Sequence, residues 1–304
     1  MKGDWEKIAR QEIAGLFPSE RLKIEKADLG TYADKKYIVE ARQGKFLVKL
    51  TSKYNLRGNL PRVAELVKEK GVPLHTSVKF CYSKRLKCYC SAYPWLEGKN
   101  LEQMWAGLTA EEQIAWGAKC GKIMKRVHSV EGDYRRDKIR RPKREYNHYH
   151  FYCWLKKIDF PHKREFDLYF KENAGIFQGR PVCFVHMDFQ PKNIMVCNDG
   201  QSMYLIDYEN CMITDPWMDF MCNLYLCPPE RQNFTLGLLR GYFPEGAPEE
   251  FYQATSLMGV LALYRYAMWK YQKNGKMVVQ SANGIYEMYD GLTNVVPRNL
   301  RGKV

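Results

Sequence analysis

The stretch VHMDFQPKNIMVCNDGQSMYLIDYEN, residues 185–210, decides the fold. Residues 194–197 and 203–206 form two apolar runs of four, and NDGQS between them supplies a turn in which Gly200 can take positive φ. Arms of equal length predict a hairpin that returns Asp207 level with Asn193, so that a carboxylate and an amide oxygen meet at one mouth. Hard oxygen ligands in such small number suit magnesium, which keeps waters and takes its other ligands from phosphates. Asp188 stands five residues before Asn193 in a loop that contains Pro191. From there it can accept a proton from an attacking hydroxyl, or orient that hydroxyl.

The bulk of the chain sets the limits. At 304 residues and 45% hydrophobic content it can bury one large core or two lobes, and nothing in its composition points to disorder. The longest uncharged apolar stretch, residues 251–264, is fourteen residues long, too short for a bilayer and suited to a buried helix. The opening MKGDWEKIARQEIAGLF carries Asp4 and Glu6 and repeats its apolar residues at helical spacing, which predicts a surface helix on a cytoplasmic protein with no membrane partner. Ten cysteines are scattered with no CxxC pair and only Cys88 and Cys90 close together, the pattern of reduced, mostly buried thiols. The net charge is +14, of which residues 119–164 supply +10 through fifteen Lys or Arg against five Asp or Glu. Aromatics interleave this basic block, so it attracts phosphates; it also suits a solvated helix face, and nucleic acid is the weaker partner reading.

Residues 22–50 alternate polar and apolar in YIVEAR and KFLVKL around QG, predicting a hairpin. LPRVAELVKEKG predicts a helix with Pro61 near its start and Gly71 just past its end. VKFCYS and KCYCSAY predict another strand pair. From Asn100 the pattern turns helical: Thr109 and Glu112 have capping-box spacing, and Ile114, Ala118, Met124 and Val127 follow at helical intervals. Gly98, where the composition switches, is the candidate hinge.

HMDFQPKN followed by LIDYE resembles the catalytic and metal-binding loops of the aminoglycoside phosphotransferase and choline kinase family, small-molecule relatives of the protein kinases. The shared pattern is H-x-D-x-x-x-x-N, a hairpin, then I-D-aromatic-E. TDPWMDF resembles the family's D-P-x-x-D-F segment, and GKIMKRVHSV the helix ending in Leu-His or Val-His. LGTYADKKYIVEARQGKFLVKL resembles its nucleotide loop and the strand with the phosphate-binding lysine, and LLRGYFPEGAPEEFY is similar to C-terminal segments of bacterial members. The likeness spans roughly residues 22–275 and is weakest over 130–175.

The resemblance implies an α+β, two-lobed protein-kinase-like fold, with a small β-rich nucleotide-binding lobe over residues 1–95 and a larger, mainly helical catalytic and substrate-binding lobe over 96–304. It implies a phosphotransferase that uses Mg2+ and ATP, or GTP, to phosphorylate a hydroxyl of a small molecule, with an aminoglycoside-type antibiotic, and hence antibiotic resistance, as the first expectation. A choline-like amino alcohol, a sugar or another antibiotic is the alternative acceptor, and a non-catalytic kinase-like binding protein the alternative class. Asp188 becomes the catalytic base; Asn193 and Asp207 become the metal ligands. Lys49 would hold the nucleotide phosphates, fixed by Glu65, with Glu69 one turn on as the second choice. His186 would brace the catalytic loop, and Asp215 and Asp219 would cap a helix start. Counting back from Gly98, Pro94 falls where only a carbonyl acceptor for adenine is needed, Leu96 where an N–H donor is needed, and Tyr93 at the back of the adenine pocket. The nucleotide loop departs from the family: it offers only Gly30, so Thr31 or Tyr32 would supply phosphate contacts. Glu209, Glu245, Glu249, Glu250, Glu287 and Asp290 are the acids available to meet a polycationic acceptor. No P-loop, G-x-S-x-G elbow or zinc-like Cys/His spacing competes with this reading.

Overall fold

The computed structural model describes residues 2–18, 21–28, 35–51, 60–131, 139–200, 202–225 and 231–303. Gly30, Thr31 and Tyr32, the expected phosphate contacts of the nucleotide loop, lie outside the described residues. In chain order the elements are α1 (Lys2–Gly15), β1 (Lys23–Ala27), β2 (Lys35–Ala41), β3 (Gly44–Thr51), α2 (Leu60–Glu69), β4 (Lys79–Ser83), β5 (Cys88–Pro94), β6 (Gly98–Asn100) and α3 (Leu101–Met104). Then follow α4 (Ala110–Val127), α5 (Pro142–Leu155), α6 (Lys163–Asn173), β7 (Cys183–Val185), β8 (Ile194–Cys197), β9 (Met203–Leu205), β10 (Met212–Thr214), α7 (Met221–Leu224), α8 (Gln232–Tyr242) and α9 (Glu249–Met288). The class is α+β as expected, with an antiparallel sheet toward the N-terminus and a larger helical part. Two compact units emerge, Met1–Gln103 with Lys192–Asn210, and Met104–Pro191 with Cys211–Val304.

In the first unit the strands run antiparallel in the order β1-β2-β3-β5-β4. Alternation sends Phe46, Val48 and Leu50 of β3 into a core with Ala9, Ile13 and Phe17 from the α1 end of the chain, and turns Leu47, Lys49 and Thr51 to the other face. Gly71 ends the α2 segment at φ 68°, the left-handed conformation a glycine adopts without a Cβ penalty.

The β8–β9 hairpin belongs to this unit because β6 pairs with β8. Its register corrects the equal-arm expectation. Ile194 pairs with Leu205, so Asn193 stands level with Ile206 and Asp207 falls one residue beyond. The reason lies in the turn: Ser202 is drawn into the ladder, its carbonyl accepting from Cys197 N–H at 2.8 Å while its N–H donates to Asp199 Oδ1 at 2.8 Å. Gly200 takes φ 66° as the turn requires. Gly98, the candidate hinge, is paired in β6 opposite Cys197, and a Cβ there would sit 2.1 Å from the Val196 carbonyl oxygen.

The second unit is organised by helices. The Thr109–Glu112 capping box forms as the spacing predicts, with Glu112 N–H on Thr109 Oγ1 at 3.2 Å and Thr109 N–H on Glu112 Oε2 at 2.8 Å. Residues 251–264 form the buried stretch of α9, with Phe251, Leu257, Met258, Val260 and Tyr264 all fully enclosed. No described helix is long and apolar enough to cross a membrane. The nine described cysteines are unbridged, and six of them are buried. α4 and α8 meet through glycines on both sides, Gly117 and Gly121 against Gly237 and Gly241, where backbone replaces side chain at the contact.

That contact makes a sharp prediction. A Cβ on Gly241 would lie 2.1 Å from Ala118 O, whereas the exposed helical Gly284 has no neighbour within 4 Å. Gly241→Ala should lower unfolding free energy by about 1–3 kcal/mol, and Gly284→Ala should raise it by about 0.5–1 kcal/mol. Denaturant unfolding of the two variants that shifted in the same direction would contradict the packing described.

Candidate functional site

The first unit carries a cation and an anion that sequence alone holds far apart. Lys49, toward the end of β3, is only 7% exposed, and its Nζ donates to Asp207 Oδ1 at 2.8 Å. The strand lysine therefore points inward. A lysine this enclosed needs an anion, since desolvating an ammonium without one is costly. Asp207 reaches it from just past β9, where a left-handed backbone, φ 64°, ends the pleat that a regular strand would have continued. The Tyr93 ring lies 5.2 Å from Lys49 Nζ, with Tyr208 edge-on to Tyr93 at 6.4 Å.

Asn193 is buried, 4% exposed, and its carbonyl accepts the Ile206 N–H at 2.9 Å, closing the hairpin mouth one residue short of Asp207. Together Asn193 and Asp207 offer hard oxygens. Among the described residues no group of three or more His, Cys, Asp or Glu side chains is placed to hold a metal. A dedicated all-protein cage is not what these residues build; a cation that retains water and phosphate ligands fits a two-oxygen set, and magnesium is such a cation.

Glu65 departs from expectation. It is exposed on α2, as is Glu69, and it has no ion pair among the described residues. Lys49 meets Asp207 rather than Glu65: an exposed carboxylate gains little from pairing, while the enclosed ammonium needs an anion at contact distance. His75, by contrast, had no signal in the sequence. The chain after α2 is tied to the hairpin by Leu205 N–H to Pro73 O at 2.7 Å and His75 N–H to Leu205 O at 2.9 Å. The His75 ring then meets the Pro94 carbonyl through Nε2 at 2.7 Å. Pro94 and Leu96 are both half-buried. Burial pushes the His75 imidazole down to about 4, reinforced by the charges of Lys49 and Lys68 and opposed by the Pro94 hydrogen bond.

The second unit carries Asp188 on a loop whose backbone is fixed from beneath. Asp219, 1% exposed, accepts from His186 N–H at 3.0 Å and from Met187 N–H at 2.6 Å, holding Met187 at φ 67°. Expected as a helix cap, Asp219 instead clamps the backbone of the loop that carries Asp188. It sits within the buried run PWMDF, where its carboxylate meets those amides and the His128 ring. Asp215 does cap, accepting the Trp217 N–H at 3.0 Å, and it also takes the Arg180 guanidinium, which stacks 3.4 Å from the Trp217 ring. His128 Nε2 reaches Asp219 Oδ2 at 3.0 Å, and its Nδ1 lies 2.9 Å from the Tyr242 hydroxyl.

His186 is fully buried and accepts the Asp188 N–H on Nδ1 at 3.3 Å, a bracing role. The Asp188 carboxylate accepts from Gln190 Nε2, and Gln190 Oε1 accepts from Arg231 at 3.4 Å. Sequence reading missed Gln190 and Arg231; Gln190 lies inside the quoted motif, while Arg231 had no signal. An aspartate fixed by its own backbone and flanked by an amide is equipped to orient a hydroxyl and take its proton.

Comparison with known proteins adds the family. The sequence model described as the phosphotransferase enzyme family matches residues 23–252. No curated protein sequence matches the chain. Among solved structures, the spectinomycin phosphotransferase APH(9)-Ia, in complex with ADP and spectinomycin, is similar at TM-score 0.56 and 15% identity over 96% of this chain and 98% of that one. ADP-bound aminoglycoside phosphotransferase APH(2'')-Ib is similar at TM-score 0.63 and 16% identity over 94% and 97%. A choline/ethanolamine kinase family protein from Mesorhizobium loti is similar at TM-score 0.59 and 16% identity over 95% and 94%.

The buried imidazole gives a pH signature. The unfolded chain binds the His75 proton near pH 6.5 whereas the folded chain excludes it until about 4, so the unfolded state carries more protons across that window. The stability His75 leaves intact above pH 6.5 is lost as pH falls toward 4, by up to about 3 kcal/mol. Unfolding free energy measured across this range should fall less steeply in His75→Gln than in the parent; parallel curves would rule the assignment out.

Proposed function

Because the chain belongs to the phosphotransferase enzyme family, we propose that it transfers the γ-phosphoryl group of a purine nucleoside triphosphate, ATP or GTP, to a hydroxyl of a small molecule. The observation that carries this reading is the 2.8 Å pair between enclosed Lys49 and Asp207 beside the buried Asn193 amide. Lys49 holds phosphate oxygens, Pro94 and Leu96 offer the base a backbone edge, and Tyr93 backs it. Asn193 and Asp207 hold magnesium, which when bound neutralises charge on the phosphates. Asp188 orients the acceptor hydroxyl and takes its proton, with Gln190 steadying the carboxylate. His186, Asp219 and His128 keep the loop in shape without touching the reactants. The nucleotide lobe ends near residue 95 in this reading, and the presence of Asp188, Asn193, Asp207 and Lys49 together argues against a non-catalytic relative.

The acceptor we propose is an aminoglycoside-type compound, the class named for some of the similar structures. A less cationic alcohol, such as an amino alcohol, a sugar or another antibiotic, is the second reading, and ion pairing favours it. Glu250 already meets Arg180 at 3.3 Å, and Asp290 meets both Arg298 and Arg301. Of the other acids offered for a polycation, Glu249 is engaged by Gln253 at 3.0 Å, and the Glu209 side chain lies outside the described residues.

A panel of aminoglycosides, macrolides, choline and simple sugars, scored by acceptor-dependent release of nucleoside diphosphate, decides between them. On whichever acceptor works, Asp188→Asn should slow turnover by about 10²–10⁴-fold while nucleotide affinity stays within about twofold, because the metal ligands are kept. Parental turnover in that variant would remove Asp188 from the chemistry.

A further inference from the structure

α5 is buried along one stripe only. Pro142, Tyr146, Tyr149 and Cys153 recur at helical spacing and face the core, where the Cys153 thiol donates to Tyr264 O at 3.8 Å. On the opposite face Arg144, His148, Phe151 and Leu155 repeat the same spacing in solvent, and Trp154 stands beside them. Phe151 is 58% exposed, Trp154 64% and Leu155 56%, and the Phe151 and Trp154 rings lie 5.7 Å apart. The water-facing stripe of a helix ordinarily carries polar side chains, and large apolar ones grouped at one helix end make a patch rather than a scatter.

Cations surround this patch. Lys156 and Lys157 continue the chain from the helix end and are exposed. Between the end of α5 and the start of α6 runs a groove of about 490 Å³, lined by Trp154, Leu155 and the buried Ile158, with Lys157, Lys163 and Asp159 also lining it. Arg164, exposed, follows Lys163. None of Lys156, Lys157, Lys163 and Arg164 has an ion pair among the described residues, whereas Arg140 and Arg180 of the same unit are held by Glu145 and Asp215.

We infer that the end of α5 docks on the surface of an anionic phospholipid bilayer, with Phe151, Trp154 and Leu155 entering the headgroup layer and Lys156, Lys157, Lys163 and Arg164 meeting the lipid phosphates. A chain without a spanning helix can still lie on a bilayer, and the expectation of no membrane partner gives way to that here. Apolar side chains gain by entering the boundary between headgroups and acyl chains, the depth that Trp favours, while lysines lay their stems along apolar surface and keep their ammonium groups at phosphate level. Each cation adds attraction to an anionic surface, and screening confines that attraction to close approach. Other occupants answer less of the patch. A second copy of the chain, paired about a two-fold axis, brings the four cations toward their own equivalents. Nucleic acid answers the cations and can stack on the rings, and it leaves Leu155 and the apolar floor of the groove in water. The inference is independent of phosphoryl transfer, since all its residues lie in the second unit and none belongs to the site described above.

The test is co-sedimentation of the full chain, at about 0.15 M salt, with vesicles of phosphatidylcholine alone and with vesicles in which about a third of the lipid is phosphatidylglycerol. The mixed vesicles should bind at least about tenfold more tightly than the neutral ones. Phe151→Ser with Trp154→Ser leaves the charge unchanged, and Lys156→Glu with Lys157→Glu leaves the rings; each pair should lower affinity for the mixed vesicles by about tenfold or more. Lys26→Glu with Lys84→Glu makes the same charge change on exposed residues of the first unit and should stay within about threefold of the parent. Equal binding to both kinds of vesicle, or binding to neither, overturns the inference. So does a loss in the Lys26 and Lys84 variant as large as that in the Lys156 and Lys157 variant, or an aromatic variant that binds as the parent does, because net charge alone would then account for the attachment. If the aromatic variant instead keeps its vesicle affinity and loses affinity for single-stranded RNA, the surface belongs to nucleic acid. A dimer in lipid-free solution that the aromatic variant dissociates would assign the face to a second copy and overturn the inference as well.

Discussion

An ammonium held inside a β-sheet lobe needs an anion, and in this chain the anion comes from 158 residues away. Lys49 reaches its enclosed position because β3 alternates, placing Val48 and Leu50 in the core and Lys49 on the opposite face. Asp207 reaches it because the β8–β9 hairpin is stitched into the same unit through β6, and because its own left-handed backbone turns it out of the strand. Asp207 keeps 36% of its side chain accessible while Lys49 keeps 8%, so the pair is half-wet. A half-wet pair contributes little as a stability element, and under the proposed function it would exchange partners, carboxylate for phosphate on one side and lysine for cation on the other.

Much of this was legible beforehand. The strands of YIVEAR and KFLVKL, the helix closed by Gly71, the Thr109–Glu112 box and the hairpin around Gly200 each follow from local chemistry that needs no tertiary partner. What the sequence concealed depends on partners. Whether Ser202 joins the ladder or the loop shifts the hairpin register by one residue, and composition is silent on that choice. Asp219 reads as one more acid near a helix start until the amides of His186 and Met187 are seen above it. Gly98 reads as a change of composition, and only the fold shows that its missing Cβ lets it approach the Val196 carbonyl. His75 sits in the plain segment PLHTS, and only the fold brings it to Pro94.

Charge behaves in the same way. A surplus of +14 and the acids of the C-terminal part are both visible in the sequence, yet which acids remain to meet a ligand is decided by pairing. Asp290 is drawn well into Arg298 and Arg301, which hold its carboxyl below the usual carboxylate range, and Glu250 is taken by Arg180. The acids that would have answered the cationic surplus therefore spend part of their charge on the protein's own arginines, and a polycationic acceptor has fewer partners than a count suggests.

Under the proposed function Lys49 acts on phosphate directly while Asp207 acts through a metal. Calorimetric titration of nucleotide with and without magnesium, on the parent, Lys49→Ala and Asp207→Ala, separates the two. Lys49→Ala should weaken binding by about tenfold or more under both conditions. Asp207→Ala should weaken it to that extent only when magnesium is present, and without the metal should bind nucleotide as well as the parent or better, since a negative charge has gone. An Asp207→Ala protein that loses affinity equally with and without magnesium, or a Lys49→Ala protein that loses none, would contradict the account.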